Sequence, residues 1–301
     1  MNSQLNPYLR IVVNHSDECN LRCAWCHKEG LSFDEKGKTL SASEIGNYSF
    51  LFWKIGTRKF KIVGGEPTLR DDLCEIIRAV RNISDDIDLS MVTNGTRLAE
   101  TVREYKKAGL HRINVSLFTM NRRYFKENIG PGAIYDSVLE GIDTAITLGL
   151  CHKINHIFHD MDDLTDVLSF ARVRNLRVNI LNTIPSIDMA DGMPSDAIWK
   201  MIQKLPIRNT RIENDPYSLP VKVISLSDGT EIEFKHCEIG RLDLFNSCLD
   251  CQTKERCHEG IFALRLTPSG KIQPCIVRDD NSFDLKSHPN VESLQKYLGA
   301  L

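Results

Sequence analysis

Residues 9–27 read LRIVVNHSDECNLRCAWCH: a β-rich run from Leu9 to Val13, then a loop with cysteines at 19, 23 and 26. A strand that feeds directly into such a loop places the thiols beyond its C-terminal end, where parallel α/β barrels build their sites. Four thiolates close a tetrahedral metal site, and a zinc ribbon would need a second C-x2-C pair close by. None lies near this loop. Three thiolates on a cubane [4Fe–4S] cluster instead leave one iron without a protein ligand, and an open iron is a binding site.

Outward from this stretch the chain alternates short β-rich runs with amphipathic helical ones as far as about residue 204. Runs 9–13, 59–63, 88–92, 112–117, 153–158 and 176–181 read as strands. Ser41 or Ser43 can cap the first helix, Asp71 and Asp72 can open the second, and residues 135–150 form a third. Such alternation implies a parallel sheet, because parallel neighbours need a crossover helix. An open doubly wound sheet and an incomplete barrel both satisfy it. After residue 205 the texture changes. LPIRNTRIENDPYSLP (205–220) reads as irregular, and Ser227-Asp228-Gly229 and Pro268-Ser269-Gly270 each mark a β-hairpin. The division expected is a core over 1–204 and a cysteine-rich β-hairpin module over 205–301.

Composition narrows the function. With 301 residues, 42% of them hydrophobic, the chain can bury a large core, and a net charge of -2 gives no reason to expect nucleic acid or an acidic membrane as partner. A small or medium organic substrate is the default. No signal-like N-terminus and no long apolar run occur, so a cytoplasmic protein is expected. In that compartment ten bunched cysteines point to metal rather than disulfides. Cys74 and Cys151, inside apolar segments, read as small buried hydrophobes.

The C-x3-C-x2-C loop with aromatic Trp25 is followed, in order, by GGEPTLR (64–70), TNG (93–95) and NVSL (114–117). This ordered set resembles the radical S-adenosylmethionine (SAM) enzymes over most of residues 9–182. The resemblance implies a partial (β/α)6 barrel whose cluster, held by Cys19, Cys23 and Cys26, is chelated at its open iron by the amino and carboxylate groups of SAM. It further implies that an electron, from a flavodoxin- or ferredoxin-type donor, cleaves SAM to a 5'-deoxyadenosyl radical that abstracts hydrogen from substrate. Trp25, Gly64, Gly65, Glu66 and Ser116 fall at cofactor-binding positions. The glycines would admit backbone to the methionyl end and Glu66 would take its ammonium. Each residue alone has a plainer reading: a strand-to-helix turn for the glycines, a helix-dipole partner for Glu66, packing for Trp25.

The second cysteine group runs Cys248-x2-Cys251-x5-Cys257, with Cys275 four residues after Gly270. Cys257-x12-Gly270-x4-Cys275 resembles the twitch and SPASM extensions of radical SAM enzymes, which implies an auxiliary [4Fe–4S] cluster on Cys248, Cys251, Cys257 and Cys275. Structural zinc is the alternative for such a set, and with it a zinc-binding interaction protein. Cys237 is then left over as a candidate catalytic hydrogen donor, unless it ligates in place of one of the others.

Residues 116–150, together with LRLTPSGKIQPC (264–275), resemble the GTP 3',8-cyclases of molybdenum-cofactor synthesis. Lys153 and Arg265 match substrate-binding positions there. Several positions depart. Lys61 stands where an arginine is expected, Val92 where a threonine is, and Ala263 for a second arginine; His258 and Ile261 occupy two auxiliary-cluster cysteine positions. Arginine clamps phosphate bidentately whereas lysine is a point charge. A relative acting on another substrate (nucleoside, sugar or ribosomal peptide) is therefore expected first, with GTP cyclisation second and Lys61, Lys153 and Arg265 as substrate residues. His152, His156 and His159 do not share one strand face and read as surface or core histidines. Arg122, Arg123 and Lys126 read as a solvated helix face.

Overall fold

In each strand of the barrel wall, apolar side chains alternate with polar or charged ones, and burial separates the two faces. In Lys59–Val63, Phe60 and Ile62 are fully buried against the helical layer, while Lys59 and Lys61 take the other side. The computed structural model describes residues 8–31, 37, 39–182, 193–214, 220–235, 246–249, 251, 261 and 263–301.

Six parallel strands follow in chain order: β1 (Tyr8–Val12), β2 (Lys59–Val63), β3 (Asp88–Thr93), β4 (Arg112–Ser116), β5 (Cys151–Ile157) and β6 (Arg177–Leu181). The helices between them start where their caps allow. For α1 (Ala42–Lys54), Ser41 closes a reciprocal capping box with Glu44. Asp72 precedes α2 (Leu73–Arg81) without a side-chain cap bond. Gly109, at φ 105°, ends α3 (Leu98–Ala108) in the left-handed conformation. Asn121 caps α4 (Arg122–Asn128) and Asp160 caps α6 (Met161–Val173), with α5 (Tyr135–Thr147) between them. The remaining helices are α7 (Ser195–Ile202) and α8 (Val291–Ala300).

The C-terminal third does more than append hairpins. Gly229 and Gly270, at φ 89° and 91°, turn β8 (Val221–Leu226) into β9 (Glu231–Phe234) and β10 (Ala263–Leu266) into β11 (Lys271–Gln273). Strand β9 then pairs parallel with β6, and β10 pairs parallel with β1. With β7 (Ile207–Glu213) and β12 (Phe283–Asp284) the sheet runs β12-β11-β10-β1-β2-β3-β4-β5-β6-β9-β8-β7. The parallel wall is thus two strands wider than the six expected. Strand β7 corrects the irregular reading of 205–220; its residues are mostly exposed, so no buried alternation marks it.

Helix α5 packs its Gly141 on the turn after β3, where an added Cβ would lie 2.3 Å from Gly95 O. Alanine gains about 1 kcal/mol of helix propensity, but moving a helix off a backbone carbonyl costs about 2–3 kcal/mol. Gly141→Ala should therefore lower Tm by about 2–6 °C in thermal unfolding, whereas Gly299→Ala in α8, with open space around it, should not.

Candidate active site

Three main-chain loops meet at the C-terminal ends of β1, β2 and β3, and small residues let them touch. A Cβ on Gly65 would lie 2.4 Å from both Glu18 O and His15 O, and one on Gly64 2.0 Å from Asn14 Oδ1. Asn14 is buried and donates through Nδ2 to Glu66 O (2.9 Å) and Glu18 O (3.2 Å), while Glu66 N donates to Glu18 O (2.9 Å). The Glu66 carboxylate is 1% exposed and fully engaged. It accepts from Thr68 N (3.0 Å), Thr68 Oγ1 (2.7 Å), Thr93 Oγ1 (2.5 Å) and Asn94 N (2.7 Å). Three of these donors fall on Oε1 and one on Oε2, so Glu66 braces the loops from within. Gly65 makes room for the cysteine loop's backbone and Gly64 for the Asn14 side chain.

The TNG turn reaches the cysteines directly. Asn94 Nδ2 donates to Asn20 Oδ1 (2.8 Å) and lies 3.9 Å from Cys19 Sγ, which also accepts from Leu21 N at 3.4 Å. Burial raises the pKa of all three thiols, that of Cys23 to about 12, with neighbouring Cys26 and Cys19 adding to the effect. Desolvated thiols that repel one another ionise only beside a strong positive charge, so this loop fits an iron–sulfur cluster. Trp25 is wedged between Phe118 (centroids 5.5 Å) and Tyr124 (6.1 Å), and its buried indole Nε1 has no hydrogen-bond partner. Ser116 ends β4 opposite Asn155, whose Oδ1 accepts from Asn179 Nδ2 at 2.9 Å. These polar groups suit SAM beside the cluster.

Below them the inner face of the barrel carries cations strand by strand. Register places Arg265 beside Arg10, Arg10 beside Lys61, Lys61 beside Ser90, Ser90 beside Arg112, and Lys153 beside Arg177. Of the three substrate residues expected from the sequence, Lys61 and Arg265 therefore share one row with Arg10, whereas Lys153 pairs with Asn114, two residues beyond Arg112 on β4 and past a register shift. Arg10 escaped the sequence reading, although a lone charge inside LRIVV was its signal. Glu29 grips Arg10 through two hydrogen bonds (2.6 and 3.0 Å) and lies 3.6 Å from Arg265 Nε. Burial alone would raise the Glu29 pKa, but Arg10, His27 and Arg265 hold it at about 2.

Lys153 pairs with Glu233 (2.7 Å), and Arg177 with Glu213, Glu231 and Glu233. Lys61 has no carboxylate partner among the described residues; its ammonium lies 5.3 Å from the Tyr8 ring centre. Burial, then Arg10, Lys153, Lys59 and Arg112, push its pKa well below the usual lysine value. A cation so placed favours an anion in the lumen.

The second cysteine group docks on the first. Gly30, at φ 77°, has no room for a Cβ, which would lie 2.5 Å from Ile276 O; Gln273 Nε2 donates to Gly30 O (2.8 Å) and Cys275 O (3.0 Å). Cys275 Sγ accepts from Val277 N at 3.4 Å. Ser247, beside Cys248, donates to Leu301 O through N (2.7 Å) and Oγ (2.6 Å). Cys251 is also described, whereas Cys237, Cys257 and His258 lie outside the described residues. Arg122 pairs with Asp136 and Arg123 with Glu127 on the exposed side of α4, as read from the sequence. No helix among the described residues is long and apolar enough to cross a membrane.

Comparison with known proteins agrees with this geometry. The model of the Radical SAM superfamily matches residues 13–173. A probable GTP 3',8-cyclase of Methanococcus vannielii is 35% identical over 93% of this chain and 89% of its own length. One of Methanocaldococcus jannaschii is 33% identical over 92% and 87%, and one of Pyrococcus abyssi 30% over 93% and 88%. Among solved structures, Streptococcus suis SuiB bound to S-adenosylmethionine superposes with a TM-score of 0.63 at 16% identity, over 91% of this chain and 61% of SuiB. The chain thus spans about three-fifths of SuiB. Native anSMEcpe with bound AdoMet gives 0.60 at 12%, over 97% and 80%. At these identities the structures share the fold.

The Glu29 carboxylate gives a pH signature. Its pKa is depressed in the folded chain from 4.5 to about 2, so its contribution is complete above pH 4.5 and is lost as pH falls toward 2. In urea unfolding of the apoprotein from pH 7 to 2, Glu29→Gln should remove that acid limb. It should also cost about 3 kcal/mol at pH 7.

Proposed function

The chain belongs to the Radical SAM superfamily, and on that premise we propose that it is a GTP 3',8-cyclase, an enzyme that joins ribose C3' to guanine C8. The observation that carries this reading is the lumenal row Arg265, Arg10 and Lys61, with Lys153 on β5 two residues out of that register and Lys61 unmatched by a carboxylate among the described residues. A triphosphate is the kind of charge such a row accommodates, since buried anions need paired cations. The relatives named probable GTP 3',8-cyclases, alike over nine-tenths of the chain, support it.

Cys19, Cys23 and Cys26 would hold the cluster that binds SAM, with Trp25 and Ser116 beside the cofactor. Bound there, cluster and SAM supply a 5'-deoxyadenosyl radical by one-electron cleavage. The protein's part is orientation and exclusion of water. Lys61 on β2 and Lys153 on β5 would grip phosphates, while Arg10 and Arg265, steadied by Glu29, would cover the β1 and β10 side. An anion arriving at Lys61 would replace repulsion from its cationic neighbours with attraction and raise its depressed pKa. Cys248, Cys251, Cys257 and Cys275 would hold the auxiliary cluster on the side where the Cys275 loop meets Gly30. Closing the C3'–C8 bond after loss of the C3' hydrogen leaves an unpaired electron on the purine. One further electron and a proton quench it, so a flavodoxin- or ferredoxin-type donor serves both steps.

A second reading has its own observation. Ala263 lies in register with Tyr8 where an arginine was expected, and Ile261, at a position expected to be cysteine, is buried in the apolar core. One expected clamp is absent and two positions expected to carry thiols hold His258 and Ile261 instead, which favours another anionic substrate, a nucleoside or sugar phosphate, in the same lumen.

One assay separates the two. Anaerobic holoenzyme with SAM, dithionite and GTP should form 5'-deoxyadenosine above the substrate-free level, together with 3',8-cyclised GTP by mass spectrometry. Cys23→Ala should abolish both. Lys61→Ala removes one charge-assisted contact of about 1.5–3 kcal/mol, raising KM for GTP about 10- to 150-fold. Turnover with another phosphorylated nucleoside or sugar and none with GTP would establish the second reading instead.

A further inference from the structure

On the opposite face of β5 from Lys153 and Asn155, toward the helical layer, lies a cluster that the lumenal chemistry does not use. His156 is fully buried, and both of its ring nitrogens lack a hydrogen-bond partner. Facing it are His159, just beyond the strand, and Asp163 in the first turn of α6, 4% exposed. His159 Nε2 and Asp163 Oδ2 are likewise buried without a hydrogen-bond partner. So many unsatisfied polar atoms in one buried spot imply a group that satisfies them all. We propose that His156, His159 and Asp163 bind a divalent cation of the zinc class.

The geometry suits such an ion. One donor atom from each residue lies within 4.8 Å of the other two, and His159 Nε2 is 3.4 Å from Asp163 Oδ2. Bonds of about 2.0–2.1 Å in tetrahedral zinc sites separate neighbouring ligand atoms by about 3.3 Å. That pair is already spaced for coordination, and a ring nitrogen of His156 lies within 4.8 Å of both. Two imidazoles and a carboxylate are a borderline donor set suited to zinc, with a fourth position left for water.

The surrounding hydrogen bonds leave the ligand atoms free while fixing their direction. His159 Nδ1 lies 3.4 Å from Ile157 O, a contact in which this nitrogen carries the proton and Nε2 keeps its lone pair. Asp163 Oδ1 accepts from Thr119 Oγ1 (2.6 Å), Met120 N (2.9 Å) and Asn121 N (3.3 Å), which leaves Oδ2 for the metal. Burial keeps His156 neutral, the ligating form, despite the nearby Asp163. At the rim, Asp160 Oδ2 lies 3.5 Å from His159 Nε2, where it can accept a hydrogen bond from the bound water.

The ion would brace the cysteine loop from behind. Tyr124 stacks on His159 (centroids 4.1 Å) and on Trp25 (6.1 Å), and Trp25 lies between Cys23 and Cys26 in the chain. Through Asp163 the same ion would fix the β4–α4 turn, so its loss should loosen Trp25 without removing a cluster ligand.

To test this, holoenzyme with reconstituted clusters is passed over chelating resin, loaded with zinc sulfate, desalted, and examined by elemental analysis and zinc K-edge absorption. The expected result is about one zinc per chain with nitrogen and oxygen ligands only. His156→Gln and the less buried His159→Gln should each lower zinc content at least about tenfold with iron unchanged. Chelation should lower the Tm of the wild-type protein but not of either variant. Absence of zinc, zinc held through sulfur, or zinc retained in full by both variants would overturn the proposal.

Discussion

One carboxylate that solvent cannot reach holds the working end of this barrel together. Glu66 accepts from the backbone and hydroxyl of Thr68, the hydroxyl of Thr93 and the backbone of Asn94, so it pins the loops after β2 and β3 to each other. Its own backbone is tied to Glu18 and Asn14 of the cysteine loop. A buried carboxylate is tolerable only when its lone pairs are filled, and here the filling is also the assembly. The two glycines before it let the loops close to van der Waals distance, and the cysteines owe their convergence to that closure.

The lumen obeys a different rule. Seven strand positions direct cationic side chains inward, yet their neutralisation is uneven. Glutamates crowd the β6–β9 side around Arg177 and Lys153, while Glu29 serves both Arg10 and Arg265. The deficit of negative charge falls around Lys61, between the two sides. An electrostatic gap of this kind concerns the ligand rather than the fold, since an apolar residue at position 61 would satisfy the barrel at least as well.

How much of this was legible depended on whether the relevant constraint was local. The strands that build the wall carry their own period, and the Ser41–Glu44 box and the turns at Gly229 and Gly270 are written in adjacent residues. That β9 and β10 would widen a parallel sheet at its two edges was not, because pairing partners such as Leu9 and Leu264 leave no mark on each other's neighbourhood. Strand β7 was hidden by its exposure. At the site, the motif order points to the cysteines and the residues near them, but not to the donors of Thr68, Thr93 and Asn94 that surround Glu66. Only the fold shows which donors surround it. His156 and His159 looked unrelated on a strand because the bend beyond Ile157 and the start of α6 bring them together.

The parallel pairing of β10 with β1 joins segments far apart in the chain. Strand β1 is made well before β10, and its outer edge stays unpaired until residue 266 has followed. Strands β9 and β10, consecutive among the described strands, lie at the two ends of the eight-stranded parallel wall. High contact order of this kind slows folding and leaves a bare strand edge open to wrong partners during synthesis. The nascent chain therefore exposes that edge until β10 has been made. Chaperone protection and the timing of cluster delivery would both act on the same interval, before the last strand of the wall closes.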